Sequence, residues 1–539
     1  MRTPFKGHHV PITRRSALVG SAAVGATAVL PVSAAAAATK VRTRVARPAT
    51  NHSAGTFAAS TNHAFQLPDG KTRNILSRFT SGVNAERLAD VAAEGGIDAW
   101  FEHQLAPGNI SNKKADATSA WFPVLAMTPQ QRFARYKAGT QNGAEMMQDF
   151  ASWTMLRRLF SKRAVDELMV DFWSNLLHTA SPANNVWPWR IEYDQMIRRH
   201  ALGDFDSLLK AAIQHPAMGL YLNNVLSTAD AINENLGREL LECHTVGVGN
   251  YTEHDVINSA RILTGFQVDQ KLTWDQTYHP EDHWMGRVKV MAFRAPNAKA
   301  NGIPVLLKYL TYLSHHPLTA QRLCRRLAIR FMSDNPSDAL VTSLANVYLD
   351  SNTEIVPVLR ALVTSDEFLS SSMQKVRTPV EDALATWTAI GAVVTQPHSP
   401  DDAGNQFINV SKAIGQVVFS WPTPDAFPDL APAWSGAGRM LGSFRVHWYA
   451  ACGAYPNQGI TFLTPLDWMP QLPLQFKDVV DHVVRSVLFL PSTLSMQVAA
   501  TIATDIQPTD VITTSHALVT HSFPRLLVSI LDTVEHLSR

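Results

Sequence analysis

From Lys71 onward, apolar residues recur at every third or fourth position over most of this 539-residue chain, and alternating runs are few. This spacing places apolar side chains on one face of an α-helix, whereas a half-buried strand needs alternation. The segment 164–178 is typical, because Val165, Leu168 and Leu176 fall on one side. The sequence therefore predicts a mainly α fold with little or no β-sheet, a multi-helix globular body with long Pro- and Trp-rich irregular loops.

Helix boundaries carry the expected end signals. Pro216 and Pro317 stand where a first helical residue is expected, and Thr252 with Asp255 forms a capping-box-like start. Similar helices are predicted over 205–214, 234–245, 253–264, 318–332, 338–349, 353–364 and 379–390. Three stretches are predicted to be irregular, namely 181–189, 273–302 and 420–434, and loops of about thirty residues are usually functional.

The first fifty residues differ in charge from the rest. They contain eight basic residues and no acidic one, although the whole chain has 47 basic against 45 acidic residues. Arg14 and Arg15 precede a weakly apolar run over 17–32 and then the small residues of 33–38. These are the parts of a secretory signal, here of the twin-arginine type that exports folded proteins. The expected location is therefore extracellular, periplasmic or cell-wall associated.

Four parts of the chain are predicted. They are the signal peptide over 1–38, a basic then Ser/Ala-rich disordered linker over 39–70, a helical core over 71–395, and a C-terminal helical subdomain over 396–539 that packs on the core. Low charge density, at 17% of residues, argues against a nucleic-acid partner. Three cysteines exclude a disulfide scaffold and are expected to be free thiols. No transmembrane segment is predicted after signal removal.

The densest polar segment is 233–244, NENLGRELLECH. At 100° per residue, one polar stripe contains Asn235, Arg238, Glu239 and Glu242. Two carboxylates three positions apart suit paired acid/base chemistry or a shared cation. The structural alternative is an ion pair from Arg238 to Glu242, with Asn233 and Glu234 stabilising the helix start.

Other polar patterns are also candidates. A second stripe of Asp171, Asn175 and His178 lies on the 164–178 helix, where a terminal histidine also suits the helix dipole. The segment His279–His283 offers two imidazoles and two carboxylates, for which a solvated loop is the expected interpretation and metal binding the alternative. Arg322, Arg326 and Arg330 are expected to form a solvated basic face paired with acids such as Glu234 or Asp334, and recognition of anionic groups is the alternative.

The stretch Asn233 to Gly265, NENLGRELLECHTVGVGNYTEHDVINSARILTG, closely resembles the signature of the bacterial family called domain of unknown function 1800. Further segments resemble the same family in its order, namely 74–107, 172–178, 197–224, 316–336, 375–381 and 415–428. The resemblance implies an exported, mostly helical protein of no established activity, often encoded beside a sulfatase-like exported family. It also gathers one polar set: Asn175, His178, Arg198, His215, Asn224, Asn233, Glu234, Asn235, Arg238, Glu239 and Glu242.

Three functional hypotheses follow. In the first, the protein is a secreted hydrolase or lyase acting on an extracellular or cell-wall polysaccharide. Glu239 is then the general acid/base, Glu234 or Glu242 the second carboxylate, and His178 and Arg238 orient them. Substrate binding is assigned to Asn175, Arg198, His215, Asn224, Asn233, Asn235, Trp187 and Trp189, with Trp421 as a further stacking candidate.

The second hypothesis is a non-catalytic exported assembly or binding protein that docks a sulfatase-like partner. The third is a metal-dependent exported enzyme, with ligands from His178, His215 or the pair His279 and His283. The sequence identifies no cofactor and leaves these three alternatives open.

Overall fold

Helices form most of the chain in the computed structural model, which describes residues 67–181 and 185–539. They are α1 Gly70–Phe79, α2 Ala85–Ala93, α3 Ile97–Gln104, α4 Lys113–Ala117, α5 Pro129–Lys137, α6 Gly143–Phe160, α7 Ala164–Leu176, α8 Arg190–His200, α9 Phe205–Ile213, α10 Pro216–Tyr221, α11 Asn235–Glu239, α12 Glu253–Ile262, α13 Ile303–Ser314, α14 Pro317–Phe331, α15 Asp338–Asp350, α16 Ile355–Val363, α17 Asp366–Leu369, α18 Pro379–Ala389, α19 Ala403–Ile414, α20 Ala437–Ala451, α21 Phe476–Leu488, α22 Leu494–Thr504, α23 Phe523–Leu531 and α24 Val534–Leu537. The predicted mainly α fold is confirmed. The predicted signal peptide and nearly all of the predicted linker lie outside the described residues.

Strands are short and form antiparallel pairs. They are β1 Phe266–Val268, β2 Gln276–Tyr278, β3 Val288–Val290, β4 Phe293–Ala295, β5 Val393–Val394, β6 Ile460–Thr461, β7 Leu474–Gln475 and β8 Val511–Ile512. Each odd-numbered strand pairs with the strand that follows it. The prediction that 273–302 is irregular throughout is wrong, because β2, β3 and β4 lie within it. Three-residue strands carry too short an alternation for the sequence to reveal.

The predicted helix ends are confirmed where the end signals were strongest. Thr252 and Asp255 form a reciprocal capping box at the start of α12, and Pro216 and Pro317 open α10 and α14. His215 caps α10 with its ring, because its Nδ1 accepts a hydrogen bond from the backbone N–H of Ala217 at 3.2 Å. These local rules fix where helices begin, and the packing then decides what they bury.

Three clusters of buried apolar side chains form the core. The first lies within residues 75–368 and contains α1, α7, α9, α13, α14 and α15. The second joins residues 122–191 to residues 380–446, so that α6 packs on α18 and α19. The third lies within residues 390–531 and contains α21, α22 and α23. The second cluster packs Val418 and Phe419 of the 415–429 segment with residues of α6 and α8, which positions the candidate site. The boundary near residue 396 stays a prediction.

None of the helices within residues 67–181 and 185–539 is both long and apolar enough to cross a bilayer.

Candidate functional site

The 233–244 segment begins as an α-helix and changes its winding. Asn235–Glu239 is α-helical, with Glu234 at the cap, and Leu240–His244 continues as a π-helical turn. The sequence predicted one regular helix over 234–245, so this change is a correction. Single π-turns inside helices are often found at functional sites, because the extra residue in the turn moves the side chains around the axis.

The first half of this segment carries an exposed ion-pair group. Arg238 donates to both carboxylate oxygens of Glu253, at 2.8 and 2.6 Å, and more weakly to Glu234 at 3.4 Å. The side chains of Glu253 and Glu234 are 72% and 43% exposed. Arg238 thus bridges its own helix to Glu253 at the start of α12. Asn233 Oδ1 accepts from the N–H of Asn235 at 3.0 Å.

The second half is more enclosed. Glu239 is 7% exposed and accepts a hydrogen bond from the Cys243 thiol at 3.0 Å. Glu242 accepts one from the Tyr251 hydroxyl at 2.9 Å. Burial and the Glu239 carboxylate raise the pKa of Cys243, and burial and Glu242 raise the pKa of Tyr251. Glu239 adjoins the apolar stripe of Leu236, Leu240 and Cys243 on this segment, which accounts for its burial.

The second polar stripe holds a loop in place. Asn175 donates from Nδ2 to the carbonyl of Phe427 at 2.9 Å and accepts from the Phe427 N–H at 3.0 Å. Nε2 of His178 lies 2.8 Å from the Trp421 carbonyl, and the Tyr221 hydroxyl donates to the Pro422 carbonyl at 3.0 Å. The 420–429 loop is therefore fixed to α7 and α10 through its backbone.

His178 lies just beyond α7, which ends at Leu176 rather than at residue 178 as predicted. The ring is 1% exposed, and burial lowers its pKa to about 4, although the bond to Trp421 acts in the other direction. His178 is therefore neutral at pH 7. Its ring lies edge-on to Tyr221, with centroids 6.0 Å apart, and the charges of Glu239 and Asp425 contribute to the raised pKa of Tyr221.

Asp429 anchors the far end of the 420–429 loop. Its carboxylate accepts from Arg326 at 3.2 Å, and its carbonyl accepts from the Lys375 ammonium at 2.6 Å. Arg322, one turn earlier on α14, donates to the Cys243 carbonyl at 2.5 Å. Arg330 on the same face is 5% exposed. The expected solvated face is wrong for Arg330, which lies buried between Asp171 and Glu381, whereas Arg322 and Arg326 stay partly exposed.

A cavity of about 40 Å³ lies between α7, α14, α18 and the 415–429 segment. It is lined by Arg158, Asp171, Ser174, Asn175, His178, Arg330, Thr378, Val380, Gln416, Val418, Phe419, Phe427, Pro428 and Asp429. This is room for two or three waters or a small polar group. Most of the lining comes from four of the segments that carry the family resemblance, 172–178, 316–336, 375–381 and 415–428.

Charges around the cavity are closely paired. Asp171 accepts from Arg158 at 2.9 Å and from Arg330 at 2.7 Å, using one oxygen for each. Arg330 also lies 2.7 Å from Glu381, which Arg539 approaches at 3.0 Å. Two buried lining atoms, Ser174 Oγ and Arg158 Nε, have no hydrogen-bond partner among the described residues. Buried polar atoms normally have one, so they mark positions that a bound group can satisfy.

Arg190 lies behind this wall and is fully buried. Its guanidinium stacks on the Phe419 ring at 4.0 Å, and its three nitrogens make no hydrogen bond within the described ranges. Its charge adds to burial in lowering the pKa of His215 to about 3. The negative charge of Asp194 and the face of the Phe419 ring stabilise this cation.

The remaining predicted substrate-binding residues are engaged elsewhere. Arg198 pairs with Glu167 at 2.7 Å and Asp194 at 2.6 Å. Asn224 donates to the Leu263 carbonyl at 3.0 Å. Trp187 is buried, and Trp189 donates from its ring to the Trp274 carbonyl at 3.0 Å. Their predicted roles stay predictions, but none of these side chains lines the cavity.

The structure thus brings Asn175 and His178 into the cavity, and places Glu234, Glu239, Glu242 and Arg238 outside its lining. Sequence reasoning missed the functional potential of Arg158, Asp429 and Gln416, and gave Arg330 a solvated role. The one available signal was the polarity of the α7 stripe, which already contained Asp171. Their convergence depends on contacts between residues far apart in the chain.

The 279–283 loop is only partly solvated. His279 lies near Glu281 at 3.1 Å on the surface, whereas His283 is 2% exposed and contacts Thr264 and Asn297. His279, Glu281 and Asp282 have ligand atoms within 4.8 Å of one another, and so does a buried group of Asp382, His447 and His536. The expected pair of His279 and His283 is therefore not the grouping that the structure forms.

Comparison with known proteins decides the family. Residues 74–535 match the family described as Protein of unknown function (DUF1800). The chain belongs to this family. No curated protein and no solved structure matches it. Membership covers nearly the whole described chain and leaves the activity to be argued from the site.

Proposed function

We propose that this DUF1800 protein is an exported, non-catalytic binding protein that recognises a hydroxyl-bearing group of an extracellular polysaccharide at the cavity beside α7. One observation carries the proposal: the cavity lining offers hydrogen-bond donors and acceptors of balanced charge. A sugar hydroxyl both donates and accepts, and so matches such a lining better than a net ion does. Phe419 and Phe427 supply the apolar part of the wall.

Binding without turnover is favoured by how the carboxylates are held. Both oxygens of Asp171 already accept from arginines, and Asp429 accepts from Arg326. A carboxylate fixed in this way is a rigid acceptor with little freedom to transfer a proton. The free donors are Arg158 Nε and Ser174 Oγ, and each is available to donate a hydrogen bond to an oxygen of the ligand.

The test is a glycan array probed with the purified full chain, followed by calorimetry on any hit. Asp171→Asn is expected to weaken binding at least tenfold, and Ser174→Val, which fills the cavity without touching an ion pair, is expected to do the same. Glu253→Gln, in the exposed pair, serves as the matched control and keeps full affinity. Unchanged affinity in Ser174→Val would contradict the proposal.

A second candidate, a hydrolase or lyase, is favoured by the π-turn. It follows Glu239 directly and sets that buried carboxylate beside Glu242 and Tyr251. Glu239 is then the general acid/base and Glu242 the second carboxylate. Release of reducing ends from a bound polysaccharide is expected to fall at least a hundredfold in Glu239→Gln and little in Cys243→Ser. Full activity in Glu239→Gln excludes this candidate.

A sulfatase-like partner remains a proposal supported by the family resemblance. Leu494, Val498 and Ile502 are exposed at four-residue spacing on α22 and offer an apolar surface for it. We expect a sulfatase-like protein to be recovered with the tagged wild-type chain and to be lost when Val498 and Ile502 become Gln.

Export is tested by the double variant Arg14→Lys with Arg15→Lys, which should retain the protein in the cells.

A further inference from the structure

A buried group of histidines and carboxylates lies outside the cavity lining, on helices that include α18, α20 and α24. Asp382 of α18, His447 of α20 and His536 of α24 each offer one ligand atom, and these atoms lie within 4.8 Å of one another. Asp532 completes the group from the end of α23. We call these four residues the histidine cluster. None of them is needed for the proposed polysaccharide binding.

We propose that Asp382, His447 and His536 bind one divalent transition-metal ion of the zinc type. Oδ1 of Asp382 lies 3.1 Å from Nε2 of His447 and 3.9 Å from Nε2 of His536. Zinc bonds of about 2.0–2.1 Å in tetrahedral geometry separate the ligand atoms by about 3.4 Å. The two distances from Oδ1 of Asp382 therefore lie within about half an ångström of this separation, and all three ligand atoms lie within 4.8 Å of one another.

Neighbouring side chains orient two of the three ligands, His447 and Asp382. His447 donates from Nδ1 to Oδ1 of Asp532 at 2.7 Å, which directs Nε2 towards Asp382. This carboxylate–histidine arrangement is the usual support of a zinc-binding imidazole. Ser443 donates to Oδ2 of Asp382 at 2.6 Å, so Oδ1 faces the two rings. Thr386 Oγ1 lies 3.0 Å from Nε2 of His536 and provides a nearby oxygen for the fourth position.

Positive charges nearby oppose a cation and set the expected affinity. Arg439 lies 3.4 Å from Oδ2 of Asp382, and it also donates to the Arg377 carbonyl at 2.9 Å. Arg377 is a second close guanidinium, because its Nε donates to the His536 carbonyl at 2.9 Å, and the carboxylates of Asp382 and Asp532 face these two cations. Removal of the Arg439 charge is therefore expected to tighten metal binding, whereas removal of a ligand abolishes it.

The bound ion has a structural role in this proposal. The cluster is buried, at 0% exposure for Asp382 and His447 and 4% for His536, which leaves no open face for a substrate. Closed sites of this kind contribute folding energy rather than catalysis. The ion would fasten α24 and the end of α23 to α18 and α20.

Elemental analysis of the purified full chain, after equilibration with zinc and dialysis, tests the site. We expect close to one zinc per chain, lost in Asp382→Asn and in His536→Gln, with 10–100-fold weaker binding in Asp532→Asn. Arg439→Gln is expected to bind several-fold more tightly. His279→Gln, in the exposed group of His279, Glu281 and Asp282, is the matched control and keeps the metal.

Cobalt(II) substitution of the wild-type chain gives a second measurement that depends on no variant. An intense visible spectrum of a four-coordinate nitrogen and oxygen site is expected, without thiolate charge-transfer bands. Two results overturn the proposal: wild-type protein with no stoichiometric zinc and only the spectrum of hydrated cobalt, or metal that His279→Gln loses and His536→Gln retains.

Discussion

The two polar stripes of this protein look alike in the sequence and differ in what covers them. The stripe on α7 is overlaid by the 420–429 loop, and Asn175 and His178 bond to that loop's backbone. The stripe on the 233–244 segment faces solvent in its first half, where Arg238 pairs with the exposed Glu253. Polar side chains therefore hold a loop in place on α7, whereas on the 233–244 segment they form a surface ion pair that solvent screens.

This difference shows that the contribution of a polar stripe to the free energy of unfolding depends on whether another element covers it. An exposed ion pair contributes little, because water and salt compete for both partners. A buried pair resists the loss of either member, because the remaining charge then has no water to solvate it.

The largest effect is expected from Arg330→Met. The substitution removes one cation from each of two carboxylates, Asp171 and Glu381, inside the protein. We expect the free energy of unfolding to fall by about 3–5 kcal/mol. Arg238→Met, which breaks the exposed pair, should cost less than about 1 kcal/mol. Urea unfolding of both variants measures the difference, and equal losses would remove the contrast.

Asn175→Ala is expected to have the next largest effect. It leaves the buried N–H and carbonyl of Phe427 without their partner, at a cost of about 2 kcal/mol. The loop should also become a protease site, so limited proteolysis is expected to cut near residues 420–429. The control Asn235→Ala, whose side chain is exposed, should change stability by no more than about 0.5 kcal/mol. We call the bonds from Asn175, His178 and Tyr221 to the backbone of the 420–429 loop the clamp. A loop that stays protected from proteolysis in Asn175→Ala would contradict this role of the clamp.

Acid sensitivity separates buried from exposed histidines. Burial lowers the pKa of His244 to about 4, below the unfolded value of 6.5. The unfolded chain therefore binds this proton first, and the associated stability is complete above pH 6.5 and is lost as the pH falls towards 4. Between pH 6.5 and 5 this amounts to about 2 kcal/mol. His244→Gln should show that much less loss over this interval, whereas exposed His254→Gln should match the wild type.

The smallest expected difference compares two tyrosine hydroxyls. Tyr251→Phe removes a bond to the half-exposed Glu242, and Tyr221→Phe removes one to the Pro422 carbonyl in the clamp. Net values for such bonds lie at about 0.5–1.5 kcal/mol, and we expect Tyr251→Phe at the low end and Tyr221→Phe at the high end. Thermal unfolding of the two variants side by side checks the order, which a reversed result would contradict.

Much of the fold was predictable because the signals for helix formation lie within a few neighbouring residues of the sequence. Apolar spacing, Pro216 and Pro317 at first helical positions, and the capping box of Thr252 and Asp255 all predict elements that the structure contains. The short strands β3 and β4 were not predictable, because three residues give no usable period. The π-turn of the 233–244 segment was also missed, since helical periodicity assumes regular winding.

The site was less predictable because its partners are remote. Asn175 and Phe427 lie 252 positions apart, and Arg330 meets Asp171 over 159 positions. Amphipathic periodicity shows that α7 has a polar face and cannot show which segment covers it. For the same reason the arginines of α14 were predicted to form a solvated face. In the structure Arg326 pairs with Asp429, and Arg330 pairs with Asp171 and Glu381.

The clamp on the 420–429 loop has a consequence for how this family can diversify. All three contacts from α7 and α10 reach main-chain atoms of the loop, at Trp421, Pro422 and Phe427. Bonds to the backbone thus set the path of this part of the loop, and the Asp429 carboxylate holds its far end on Arg326. Substitutions at Phe427 can therefore reshape the wall of the cavity while the loop keeps its course, which separates the choice of ligand from the cost of folding.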